Sequence, residues 1–475
     1  MAVLSKLREL SLPYNCYEVG HTWDPECYSA ALSVGVSCMI EGMKIYAPLY
    51  LISQVLQRKF SLNACLNTLQ SIYTSSCFLS VNGFGFIFIF CLFRRAMGKF
   101  YYLHCSYLPA FAASFLAILV ERQNRRGPLA LYVTNVATET IFRMATARGI
   151  IKPIENGQVW LFSATMAMYL YLIRKHGFTK DFVSAVYGKV FGREEAKPRR
   201  KAVTQGTEAD SRSGIVRLPD PQMSLLAGPS EPSIHMVLED AQASFFKRVW
   251  HSEKHPSCPH KSGCVQYFVK GFLTPFLIGY GAFTGIRTLS AAKRIMKDPS
   301  VILKILTQQK TLNLGLFLGG FGGTFRVINC LLRWLFNKDL PLYAIPAAFL
   351  GGLFMKFFPS STLALYLMWK LIENGYLLGI QEGVLPEIKG SMLMLYATST
   401  AFLFYAAVLE PHNLKPTYLK FLTRLTHNKI GEINRHVLDI FGTHASKIYS
   451  DFWPELDLRY TSRVFQESVL LWLIN

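Results

Sequence analysis

The amino-acid sequence predicts an all-α, polytopic helical membrane protein: two tandem homologous helical repeats joined by a disordered linker. Three observations predict it. Apolar residues are gathered in long runs, short blocks recur at a nearly constant offset, and a polar stretch separates the halves. Of 475 residues, 51% are hydrophobic, 14% aromatic and only 17% charged. A helix needs about 20 apolar residues to cross a hydrocarbon core of about 30 Å. In lipid only helices or closed barrels satisfy their own backbone groups, and the period-two alternation of a barrel is absent, so the runs read as helices.

The elements follow in order. Residues 1–31 form a Cys-containing N-terminal segment; Met1–Leu12 has no apolar core of the kind a signal peptide carries, so entry through internal spans and a reducing face are expected. The first transmembrane repeat, 32–192, contains the runs Leu32–Leu56, Phe78–Phe93, Leu103–Val120, Leu129–Ala147 and Val159–Ile173. A polar linker, 193–250, opens with Lys197-Pro198-Arg199-Arg200-Lys201 and is too poor in apolar residues to offset its ordering entropy. The second repeat, 251–410, contains Val265–Leu289, Leu312–Phe336, Leu340–Phe358, Ser361–Ile380 and Met392–Leu409. Ser61–Ser76 and Ser300–Thr311 are polar enough to be interfacial helices. In the amphipathic tail, 411–475, Tyr418, Phe421, Leu422 and Leu425 share one helical face opposite Lys415, Lys420 and Arg424, the pattern of a helix on a membrane surface.

The halves repeat each other. Leu129-Ala130-Leu131-Tyr132 recurs as Leu363-Ala364-Leu365-Tyr366, and at the same offset Glu139 falls on Glu373 and Gly149 on Gly383. Upstream, Cys91-Leu92-Phe93-Arg94 answers Cys330-Leu331-Leu332-Arg333. Between these blocks Tyr107-Leu108-Pro109-Ala110 resembles Tyr343-Ala344-Ile345-Pro346-Ala347, and matched Glu, Arg, Pro and Gly in one order point to duplication followed by small deletions in loops.

Three groups of residues could carry function. Gly315, Gly319 and Gly323 recur every fourth residue, and Gly351 and Gly352 repeat the spacing with Ala347 and Ala348, a ridge that lets membrane helices approach closely. Glu41 and Lys44, Glu139 and Arg143, and Lys370 and Glu373 lie inside apolar runs. Ionisable groups there suggest a substrate or proton site, whereas their spacing of three or four residues equally suggests structural ion pairs. Finally, Cys16, His21 and Cys27 precede the first span of one half, and His251, His255, Cys258, His260 and Cys264 that of the other. Neither group has the tight C-x2–4-C pair usual in zinc sites, which argues for redox-sensitive or plain loop residues over a metal site. Cys38, Cys77, Cys91 and Cys330 lie within or at the edge of apolar runs and read as small hydrophobes. No cofactor is called for. The +20 net charge lies in the connections and reads as interfacial anchoring or attraction to anionic lipids; no nucleic-acid-binding module is visible. The common catalytic motifs are missing, so an enzyme is disfavoured.

Asn15-Cys16-Tyr17-Glu18-Val19-Gly20-His21-Thr22-Trp23, Lys44–Ile52, Ala137-Thr138-Glu139-Thr140 and Leu438–Thr443 with Ala445-Ser446-Lys447 resemble the transmembrane protein 135 family, over both halves and most of the tail. The stretch Arg333–Asp339 followed by Ala347–Gly352 is similar to part of the mitochondrial inner-membrane translocase channel family. The first resemblance implies a multi-pass protein of mitochondrial and peroxisomal membranes. It implies a role in mitochondrial fission and fusion with a dynamin-related GTPase as partner, and in peroxisome organisation and lipid metabolism. Duplication and the Glu139/Glu373 pair leave open a different class, a carrier or pore for a lipid or metabolite.

Overall fold

The computed structural model describes residues 11–58, 60–177, 187, 188, 195 and 255–474. Apart from Glu195, the expected linker lies outside them. The described chain is helical, with one short antiparallel ladder that pairs β1 (Ser11–Leu12) with β2 (Phe100–Tyr101), Leu12 opposite Phe100.

All ten apolar runs fall on helical segments. In chain order the α-helices are α1 (Cys16–Val19), α2 (Cys27–Leu56), α3 (Leu62–Met97), α4 (Tyr107–Val120), α5 (Gln123–Ala147) and α6 (Gly157–His176). They continue with α7 (Cys264–Ser290), α8 (Ala292–Ile295), α9 (Ser300–Thr307), α10 (Gln309–Phe336), α11 (Ala344–Gly352) and α12 (Ser361–Gln381). The last are α13 (Ser391–Leu409), α14 (Pro416–Leu425), α15 (Arg435–Leu438) and α16 (Arg463–Ile474). Among the described residues, four segments are long and apolar enough to cross a membrane: Cys27–Val55, Leu62–Met97, Ser300–Phe336 and Ser391–Leu409.

Three readings need correction. Ser61–Ser76 is not a separate interfacial helix. Ser61 caps α3 by accepting from the Ala64 amide at 3.3 Å, and the helix runs unbroken to Gly98, whose left-handed φ of 72° ends it. The run Leu340–Phe358 is not one span: α11 is flanked by 3-10 turns at Pro341–Tyr343 and Leu353–Phe357. Gly351-Gly352 weakens the helix there, and the Phe354 ring folds back onto Gly320, where a Cβ would stand 1.9 Å from it. The apolar face of α14 covers protein: Tyr418, Leu422 and Leu425 are buried in the apolar core of the first unit. An amphipathic pattern has the same period whether its dry face meets lipid or protein.

Two compact units form, one from residues 1–155 and 361–475 and the other from 156–360. They do not follow the sequence repeats. In the first, α2 packs on α3, α3 on α4, and α4 on α13. In the second, α7 packs on α10, α10 on α11, and α11 on α6. The succession is the same, but the closing helix in each unit comes from the other repeat, an exchange of equivalent elements that duplicated chains readily permit.

The second unit shows what the glycine ridge does. Gly315, Gly319 and Gly323 of α10 lie against Phe276, Phe272 and Phe268 of α7, ridge into groove with the two helices antiparallel. A Cβ on Gly319 would stand 2.8 Å from the Phe272 carbonyl oxygen, whereas one on Gly281 or Gly285 of α7 would have nothing within 4 Å among the described residues. Gly351 backs onto Phe321, and Gly352 onto Ser163 of α6. Gly319→Ala should therefore force the helices apart and destabilise by about 1–3 kcal/mol, while Gly281→Ala should be neutral or stabilise by up to about 1 kcal/mol. Thermal unfolding of the two variants in detergent tests this; equal midpoints would show that the ridge does not set the helix separation.

Candidate functional site

In the first unit, α2, α3, α5, α13 and α14 line a largely apolar, partly open cavity of about 150 Å³. Its walls include Tyr46, Phe78, Val133 and Tyr396, and Tyr418 and Leu422 of α14 close one side. A pocket of that size and largely apolar lining suits a small apolar group.

The charged residues of the spans hold α14 in place over this chamber. Lys415, at its N-cap, donates to Glu139 Oε2 at 2.9 Å and to Thr362 Oγ1 at 2.6 Å. At its other end Arg424 Nε donates to Glu41 Oε2 at 2.9 Å, and His427 Nε2 stands 3.3 Å from Glu41 Oε1. The same two glutamates pair within their own helices, Glu41 with Lys44 at 2.6 Å and Glu139 with Arg143 at 2.8 Å. Lys370 pairs with Glu373 at 2.5 Å. Glu139 and Glu373 thus each have a partner on their own helix, and among the described ion pairs Glu139 alone of the two is tied to the tail. The tail cations were legible as one polar helix face, yet their destinations were not.

In the second unit a polar cluster appears that the sequence does not announce. Arg333, fully buried, donates to Glu195 through Nη1 at 3.1 Å and Nη2 at 2.6 Å, and to Asp339 Oδ1 through Nε at 3.0 Å. Arg174 bonds Asn329 at 2.8 Å and Asp339. Burial alone would raise both carboxyls, but Arg333 outweighs it at Glu195, and Arg174 with Arg333 outweigh it at Asp339, so both are held below their ordinary range. Glu195 falls in the stretch read as linker, which is why it was missed.

The Cys/His residues converge in two quartets. Cys16, His21, Cys27 and Cys91 form one, and Cys258, His260, Cys264 and Cys330 the other; within each, one ligating atom per residue lies within 4.8 Å of all the rest. In the first, an Asn15–Glu18 capping box shapes α1, and Arg94 of α3 donates to the carbonyls of Pro13 at 2.8 Å and Tyr14 at 2.7 Å, drawing the strap that carries Cys16 to the end of α3. In the second, Ser257 Oγ donates to the Asn337 carbonyl at 3.0 Å and clips the strap to the end of α10. Cys91 and Cys330, read from sequence as apolar filler, stand beside the other members; the recurring Cys-Leu-x-Arg block was the signal that could have found them.

Residues 13–146 match the family model described as the N-terminal cysteine-rich region of Transmembrane protein 135. That range holds the whole first quartet, while the second lies beyond it. No solved structure matches the chain.

Proposed function

From the premise that the chain belongs to the transmembrane protein 135 family, we propose that it is a multi-pass protein of mitochondrial and peroxisomal membranes. In this reading it regulates the balance of mitochondrial fission and fusion, and peroxisome organisation and lipid metabolism, without catalysing a reaction. The match over residues 13–146 carries this reading. The described charges support it too, because the span glutamates Glu41, Glu139 and Glu373 all sit in ion pairs, as structural groups in a membrane do. Membrane lipids are its surroundings, and a dynamin-related GTPase is the proposed partner.

A second reading, a carrier for a lipid or other apolar metabolite, is favoured by the chamber beneath α14. One substitution separates the two. Val133 is 7% exposed and lines the chamber, so Val133→Phe should fill it. The regulator reading expects that loss of the chain changes mitochondrial length and peroxisome number, and that wild type and Val133→Phe restore both equally well. Unchanged organelles on deletion overturn it. Failure of a normally abundant Val133→Phe, with lipid transfer by the wild type in liposomes, gives the function to the chamber.

A further inference from the structure

We propose that the chain carries two mononuclear metal sites, one from each repeat's quartet, each holding one divalent ion of zinc's class in a Cys3His tetrahedron. The first is Cys16, His21, Cys27 and Cys91; the second is Cys258, His260, Cys264 and Cys330.

The geometry fits one ion. Zn–S bonds of about 2.3 Å and Zn–N bonds of about 2.0 Å set tetrahedral edges of about 3.5–3.8 Å. In the second quartet His260 Nε2 stands 3.7 Å from Cys264 Sγ and 3.4 Å from Cys330 Sγ. A two-iron cluster spreads its ligands over two metals, which four atoms all within 4.8 Å of one another do not accommodate.

The imidazoles are set for ligation. His21 Nδ1 lies 2.7 Å from the Asp24 carbonyl oxygen, and His260 Nδ1 lies 2.6 Å from that of Ser262. A carbonyl only accepts, so Nδ1 carries the proton in both rings and the lone pair is on Nε2, the outer-shell arrangement of metal-bound histidine. His21 Nε2 is buried and has no hydrogen-bond partner among the described residues, an orphaned acceptor that a cation would satisfy. Both rings are fully buried; His260 stacks on Tyr267 at 4.3 Å, and His21 meets the Trp23 ring edge-on at 6.3 Å.

The two sites are built alike from different local sequence. In each the order is Cys, His, Cys, then a distant Cys. The third ligand is the first residue of a long helix, Cys27 in α2 and Cys264 in α7. The fourth stands seven residues before the left-handed C-cap of its partner, Cys91 before Gly98 and Cys330 before Asn337. Each metal would therefore tie the strap to the open end of a helical hairpin. Four protein ligands leave no open position, so the role is structural. Binding replaces three thiol protons, released to solvent, by the ion. The resulting site carries a net charge of −1. Arg94, three residues past Cys91 and hydrogen-bonded to backbone carbonyls, supplies the opposite charge at the first, while Arg333, three residues past Cys330, is already paired with Glu195 and Asp339.

The full chain, purified in detergent with reductant and no strong chelator, should contain two zinc ions per molecule by elemental analysis. Cys91→Ser and Cys330→Ser should each lower this to one, and Cys65→Ser, an exposed cysteine outside both quartets, should leave it at two. If the serine variants fail to fold, the wild-type protein still decides. Cobalt exchanged for zinc should show the absorption of a tetrahedral thiolate site, and the quartet thiols should resist alkylation until a chelator is added. Fewer than one metal per chain with freely alkylated thiols, disulfides within the quartets, or iron with acid-labile sulfide would each overturn the proposal.

Discussion

Replacing Arg333 with leucine is expected to remove most of the protein from the membrane fraction. The side chain is fully buried and holds Glu195 with two hydrogen bonds and Asp339 with a third. Asp339 would keep Arg174. Glu195, also buried, would keep only the Tyr267 hydroxyl at 2.9 Å among its described hydrogen-bond partners. A buried carboxylate stripped of its cation costs about 3–5 kcal/mol, a large share of the stability of most folded proteins. The equivalent residue of the first repeat gives the contrast. Arg94 donates to two backbone carbonyls at the protein edge, and Arg94→Leu should cost only about 1 kcal/mol per lost bond. Adding Glu195→Gln to Arg333→Leu should recover part of the loss, since the amide can still accept from Tyr267 and no unpaired charge is left buried.

The same cluster sets an acid limit. Glu195 and Asp339 are held below their ordinary range, the first by Arg333 and the second by Arg174 with Arg333. Groups with depressed folded values contribute stability above the usual carboxylate range and lose it as pH falls through those values. Unfolding midpoints of the wild type should fall as pH drops below that range, and less steeply in the Arg333→Leu/Glu195→Gln protein. Equal abundance of Arg333→Leu and wild type would show that the cluster does not hold the second unit together.

Much of this architecture was legible because membrane spans are long and apolar, and because duplication writes itself twice. The Leu-Ala-Leu-Tyr and Cys-Leu-x-Arg blocks marked equivalent helices correctly enough that Cys91 and Cys330 occupy matching places in the two quartets. What stayed hidden was set by tertiary contact. Cys91 lies 64 residues beyond Cys27 in a run where a thiol is indistinguishable from a small hydrophobe, so the sequence offered three ligands and no fourth. The dry face of α14 had the right period, but only the packing of Tyr418 and Leu422 against the first unit showed which phase it avoids. Nor could local spacing reveal that α6 would pack on α11, and α13 on α4, each a helix of the other repeat.

Spacing alone made Glu139 and Arg143 an isolated pair, in which losing either partner should do equal harm. The third member changes that expectation. Glu139 is 7% exposed, while the side chains of Arg143 and Lys415 are 39% and 23% exposed, and each cation takes a different carboxylate oxygen. Arg143→Leu leaves Glu139 on Lys415, and Lys415→Met leaves it on Arg143. Each single change should therefore cost no more than about 1 kcal/mol, as partly exposed pairs do. Together they strand a buried carboxylate, and the double variant should lose about 3–5 kcal/mol, far more than the sum of the singles. Adding Glu139→Gln to that double variant should then restore abundance, because the group it relieves is the unpaired charge itself. A glutamate that titrates during transport behaves differently. Glu139→Gln alone would leave abundance normal and abolish lipid transfer, and no change at Arg143 or Lys415 would bring it back. Membrane abundance across the single, double and triple variants, with transfer measured in parallel, separates the two: additive losses in the double, or no recovery in the triple, would remove Glu139 from its structural role.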